Sequence, residues 1–166
     1  LRHFLKQHGI SLWRLPRLVR RFQAAAAEEA DRLPLVAGVR EVLAALAGAG
    51  TRLGVLSSNR EDNIRRCLRA NGVEHHFAFV VGYPRLFGKA KALRRILRAE
   101  RVAPADALYV GDELRDVEAA RKAGVGVAAV TWGFHAAELL RTGGPDVVAD
   151  TPNELLRVIG LGERGA

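Results

Sequence analysis

The sequence predicts an α/β fold built on a parallel sheet, and three observations carry that prediction. From Val39 onward, segments with apolar residues at helical spacing alternate with short apolar runs of β-branched type. That is the pattern of strands buried on both faces by crossover helices. Glycine or asparagine closes the helical segments, at Gly48 and Gly50, at Asn71 and Gly72, and at Gly124, where a chain leaving a helix needs left-handed backbone. Small polar and acidic residues then stand just after the apolar runs, at the edge where open parallel sheets bind their ligands.

The elements follow in order. "AGVREVLAALAGAG" is a helix with Val39, Val42, Leu43 and Leu46 on one face, and "TRLGVLSSN" is a short strand. "EDNIRRCLRANG" reads as a helix, "FAFVVGY" as a strand, and "GKAKALRRILRAERV" as a helix with Ala92, Leu93, Ile96 and Leu97 together. "ALYVGD" is a strand, "DVEAARKAG" a helix, "VGVAAVTWGF" a strand and "DVVAD" a short strand. "TPNELLRVI" closes the fold as a helix, with Thr151 as N-cap, Pro152 in the first turn and Glu154 completing a capping box. Upstream, residues 1–33 read as helical and strandless, with Pro16 interrupting the run. The chain therefore divides into a helical segment 1–33, an α/β core 34–160 and a disordered tail 161–166.

Composition bounds the function. At 166 residues, 49% hydrophobic and 27% charged, the chain is long enough for one domain with a real core. It has no apolar run of membrane-spanning length and no secretory leader pattern, so a cytoplasmic location is expected. The single cysteine, Cys67, excludes an internal disulfide and a multi-cysteine zinc site. The net charge of +8 comes from arginines scattered over the helical segments without aromatic interleaving. That reads as a field drawing in anionic substrates, with no specific nucleic-acid partner. Methionine is absent and the chain begins at Leu1, from which a fragment, or a start placed too late, is expected.

Three strand ends carry candidate chemistry. After "LGVL" come Ser57, Ser58 and Asn59, short polar groups that bind phosphate oxygens at a helix N-terminus or simply cap it. After "FAFVVGY" comes Lys89, at the start of a helix just past Gly88. A cation there opposes the helix dipole unless it faces an anion. After "ALYV" come Asp112 and Asp116, one helical turn apart. Two carboxylates that close repel unless a cation lies between them, and an oxygen-lined site of few ligands suits Mg²⁺. A hydroxyl, a lysine and an acid pair on successive strand ends is what binding a phosphoryl group requires.

These motifs resemble the haloacid dehalogenase (HAD) superfamily, and within it the phosphoglycolate-phosphatase-like group. "LGVLSSN" resembles the second family motif, "LFGKAKAL" the third, and "YVGDELRDVEAARKAGV" the fourth. "VTWGF" and "PDVVADTPNEL" are similar to the same group. The resemblance covers residues 34–156 and extends weakly upstream. It implies a Rossmann-like core with a small helical cap at 1–33, and a phosphate site in which Ser57 and Lys89 act on the substrate. It also implies Mg²⁺ held by Asp112 and Asp116, and a small phosphomonoester as substrate.

One departure is plain. The family's first motif, Asp-x-Asp-Gly-Thr after an apolar strand, occurs nowhere in the chain. In the family its first aspartate is the nucleophile that forms an aspartyl-phosphate, and its strand lies mid-sheet between those at 52–57 and 107–111. The expectation is thus of a HAD phosphatase lacking its first segment, inactive and prone to aggregate as it stands. The rival is a non-catalytic protein that keeps the pocket to bind phosphorylated ligands or a protein partner. A nucleotide-binding module has no Gly-rich phosphate loop to rest on. Other residues are read structurally: His75 and His76 as solvated, Cys67 as core. Glu113 and Arg115 are read as making local surface contacts, and Trp132, Phe134 and His135 as loop packing or pocket rim.

Overall fold

The computed structural model describes residues 27–83 and 88–160. Most of the expected helical segment 1–33, with its break at Pro16, and the tail 161–166 lie outside the described residues, as do residues 84–87.

Among the described residues six complete α-helices and five strands alternate, all but α5 as the periodicity predicts: α1 Val39–Gly48, β1 Leu53–Ser57, α2 Glu61–Ala70, β2 Phe77–Gly82 and α3 Lys89–Glu100, then β3 Leu108–Gly111, α4 Leu114–Ala123, β4 Gly126–Val130, α5 Ala137–Thr142, β5 Val147–Ala149 and α6 Pro152–Val158. Every described strand pair is parallel.

Strand β4 shows why the sheet needs helices on both sides. Its residues alternate between faces. Val127 and Ala129 pack with Leu93 and Leu97 of α3, Val117 and Ala120 of α4, and Leu140 of α5. Ala128 and Val130 pack with Val42 of α1, Ala149 of β5 and Leu155 of α6. Alanine at Ala120, Ala128, Ala129 and Ala149, all fully buried, lets helix and strand backbones approach closely.

The sheet is interrupted between β1 and β3, at the place where the resemblance puts a strand that this chain lacks. Among the described residues β1 pairs with β2, and β3 and β5 flank β4, giving a two-stranded and a three-stranded sheet. The two halves are tied by other means. Helix α1 spans them, with Val42 in the cluster over β4 and β5 and Leu43 against the cluster of Ile64, Leu68, Val73 and Val80. The Tyr109 hydroxyl of β3 donates to the Leu56 carbonyl of β1 at 3.3 Å. Leu108 and Val110 of β3 are each 43% exposed, so β3 is not the doubly buried strand its composition predicts.

Three local differences have simple causes. The strand expected over "VGVAAVTWGF" stops at Val130, because residues 131–133 turn back toward β3. Helix α5 is absent from the sequence prediction. Six residues with one adjacent leucine pair carry no helical repeat. The capping box of α6 is half as expected: the Thr151 hydroxyl accepts from the Glu154 N–H at 3.2 Å, but the Glu154 carboxylate accepts from the N–H of Asp150 at 2.8 Å. Cys67 is half-buried against the Leu33 carbonyl and the Asn71 side chain, and burial pushes its thiol up. No helix among the described residues is long and apolar enough to cross a membrane.

Candidate active site

The ends of β1 and β3 and the start of α3 converge on one cluster of charges. After β1 the chain turns sharply, and the Ser57 Oγ accepts from the Asn59 N–H at 3.2 Å. The Asn59 side-chain oxygen accepts from the Arg60 N–H at 2.8 Å and from the buried Asn63 amide at 3.1 Å. That oxygen therefore serves the start of α2. The Ser57 carbonyl accepts from the Tyr83 N–H at 2.7 Å, which fixes the end of β1 beside the end of β2.

Lys89 is the first residue of α3, preceded by Gly88 at φ 98°. That left-handed turn is natural only to glycine, and a side chain there would also meet the Tyr83 hydroxyl. The turn aims the Lys89 ammonium inward. It pairs with the Asp116 carboxylate, with 15% and 5% of the two side chains exposed, and sits 5.9 Å from the Tyr109 ring centre. The anion that the helix-dipole argument requires for Lys89 is therefore Asp116. Burial holds the Tyr109 phenol far above its ordinary range, and the neighbouring Asp116, Asp112 and Glu113 add to that against the opposing Arg115. Tyr109 is consequently a neutral donor at neutral pH.

Asp112, Glu113 and Asp116 gather at the end of β3, each offering a carboxylate oxygen within 4.8 Å of the others. Two features permit this crowding. Gly111 has no side chain where a Cβ would lie 2.5 Å from that of Asp116. The loop after β4 also brings donors: the Phe134 N–H donates to the Asp112 carboxylate at 2.8 Å, and the His135 N–H to the Asp112 carbonyl at 3.1 Å. The His135 Nδ1 accepts from the Leu114 N–H at 3.0 Å, satisfying an orphan donor at the start of α4. Trp132, by contrast, packs into the apolar cluster beneath.

Glu113 and Arg115 turn out to be part of this cluster and not mere surface contacts. They pair with each other, and the Arg115 Nη2 reaches the Ser58 hydroxyl at 3.3 Å. The signal that singles out Lys89, a cation in the first turn of a helix, does not reach Arg115 in the sequence, where the helix is read from Asp116; the structure starts α4 at Leu114. The structure thus brings together Lys89, Asp112, Asp116, Glu113, Arg115 and Ser58. Ser57 stands beside Ser58 with its hydroxyl turned to the backbone, and Asn59 faces α2. His75 and His76 stack on each other with ring centres 4.0 Å apart, in the connection before β2 and outside this cluster.

Three carboxylates thus face two cations. An anion entering here meets net repulsion unless a further positive charge accompanies it. Hard carboxylate oxygens at this spacing fit a divalent cation of the Mg²⁺ or Ca²⁺ type. Gly133 packs directly on the same group, since a Cβ there would lie 2.2 Å from the Asp112 carboxylate. Gly133→Ala is therefore expected to displace Asp112 and weaken Mg²⁺ binding about tenfold or more, by analogy with losing a ligand's supporting contact. Isothermal titration with Mg²⁺ would check this, and unchanged affinity would mean that Asp112 does not hold the ion.

The pattern of haloacid dehalogenase-like hydrolases matches residues 1–130 of the chain. The chain belongs to the haloacid dehalogenase-like hydrolase family. It is 37% identical to a phosphoglycolate phosphatase of Synechococcus elongatus over 95% of this chain and 74% of that protein. It is 32% identical to the phosphoglycolate phosphatase of Escherichia coli over 89% of this chain but only 59% of that protein. Among solved structures, a haloacid dehalogenase-like hydrolase of Streptococcus pneumoniae superposes over 90% of this chain and 71% of its own, with a TM-score of 0.80 at 23% identity. That last likeness concerns the fold alone. The family's Asp-x-Asp-Gly-Thr motif is absent from the 166 residues.

Proposed function

We propose that this chain forms the greater part of a Mg²⁺-dependent phosphatase acting on small phosphomonoesters of the phosphoglycolate kind. The observation that carries the reading is the cluster itself: a half-buried lysine at the start of α3 paired to one of three carboxylates that converge at the end of β3, at one edge of a parallel α/β sheet. In this reading Lys89 and the Ser57 and Ser58 hydroxyls hold the phosphoryl oxygens, and Asn59 shapes the turn that presents them. Asp112 and Asp116 hold the metal, which when bound offsets phosphate charge that the carboxylates would otherwise repel. The Lys89 ammonium stays near Asp116 and is shared with the incoming oxygens, so charge develops on phosphate against a fixed donor.

None of the residues gathered in the cluster serves as the nucleophile. Asp112 and Asp116 are committed to the cation, and Ser57 has no base beside it among the described residues. We assign that role to an aspartate on a strand seated between β1 and β3, which share no ladder, in sequence preceding Leu1. Its carboxylate oxygen attacks phosphorus as the P–O bond to the alcohol breaks, and the second aspartate of the same Asp-x-Asp-Gly-Thr motif gives the leaving oxygen its proton. That second aspartate then takes a proton from water, which cleaves the aspartyl-phosphate to inorganic phosphate and the free carboxylate.

The test compares this chain with one extended upstream in the same reading frame, measuring Mg²⁺-dependent release of inorganic phosphate from 2-phosphoglycolate. The extended protein is expected to turn over and the 166-residue chain to show no release above the blank. Hydrolysis by the 166-residue chain itself would overturn the assignment of the nucleophile. Phosphate binding without turnover by both would leave the non-catalytic reading in its place.

A further inference from the structure

The Glu113–Arg115 pair does more than neutralise charge. The guanidinium has two edges, and Glu113 occupies one. Its Oε1 accepts from Nη2 at 2.6 Å and its Oε2 lies against Nε. The Nε, although buried, makes no properly angled hydrogen bond. Among the described residues the other edge, formed by Nη1 and the second Nη2 hydrogen, hydrogen-bonds only the Ser58 hydroxyl, at 3.3 Å. A long contact to a neutral hydroxyl is a weak use of a fork that fits a carboxylate in two parallel bonds.

The position is also costly. Arg115 lies in the first turn of α4, where the helix dipole disfavours a cation, and its side chain is only 38% exposed. The chain thus holds a guanidinium at a helix N-terminus with one edge clamped and the other barely used. That edge opens between the Ser57–Asn59 turn and the acidic cluster.

We propose that Arg115 is the specificity-determining residue of this site, taking the carboxylate of a substrate whose phosphoryl group lies on Ser57 and Lys89. The substrate class is a phosphomonoester bearing a carboxylate on the adjacent carbon. Ser58 yields its contact to the incoming carboxylate, and Glu113 keeps the guanidinium plane from rotating. The inference rests on the phosphatase reading above and narrows its substrate.

Phosphorus-31 NMR titrations in Mg²⁺ test it, comparing 2-phosphoglycolate with ethyl phosphate, which lacks the carboxylate. The unaltered chain is expected to bind 2-phosphoglycolate about tenfold more tightly, the effect of one charge-assisted contact. Arg115→Gln should lose that preference while ethyl phosphate affinity moves by about twofold or less. Arg115→Lys, with charge but no fork, should recover only part of it. Equal weakening of both ligands would show that Arg115 reads the phosphoryl group, and no change in either would show that it binds neither group. An unaltered chain that binds both ligands equally overturns this proposal alone. One that binds neither overturns the phosphate site as well.

Discussion

Lys89→Met is expected to lower the stability of the chain by about 3 kcal/mol and to abolish phosphate binding. The stability loss comes from what is left behind. Asp116 has only 5% of its side chain exposed and shares its carboxylate with Lys89. Removing one partner of a buried pair strands the other charge, at a typical cost of about 3–5 kcal/mol. Part of that is returned because the substitution also removes a cation from the start of α3, worth about 0.3–1 kcal/mol. Adding Asp116→Asn to Lys89→Met should therefore recover a large share of the loss, since no buried charge then remains unpaired. Urea denaturation of the single and double variants measures this coupling. If Lys89→Met is as stable as the parent, the pair is not the anchor described here. A double variant that is merely the sum of two losses would say the same.

The second large effect lies in the core. Leu140 is fully buried in the cluster with Val117, Val127 and Ala129. Leu140→Ala is expected to cost about 3 kcal/mol, the transfer of a buried isobutyl group plus the cavity it leaves. The same helix follows the loop that supplies the Phe134 and His135 amides to Asp112. Mg²⁺ affinity should accordingly fall along with stability, whereas a substitution at the 41% exposed Leu139 should change neither. Thermal melting and Mg²⁺ titration of Leu140→Ala and Leu139→Ala would separate the two. Comparable losses in both variants would mean that α5 contributes as a surface helix and not as a core one.

The order of helices and strands was legible because it depends on local periodicity. The repeat in "KALRRILRA" puts Ala92, Leu93 and Leu97 on one buried face, whatever the rest of the chain does. Lys89, Asp112 and Asp116 were likewise legible from their places after strands, because topology alone puts those ends at one edge. Arg115 and Glu113 were not, because their role depends on which way two side chains turn across a distance of one helical turn. Only the folded start of α4, set against the turn at Ser58, decides that.

The sequence by itself determined a parallel α/β chain with a lysine, hydroxyls and an acid pair at its strand ends, since spacing and residue type are properties of neighbours along the chain. The tertiary structure decided two further things: the pairing of Lys89 with Asp116 and the capture of Asp112 by the amide of Phe134. Each joins residues more than twenty positions apart. Such contacts follow from the packing of whole elements against one another, which no local pattern encodes.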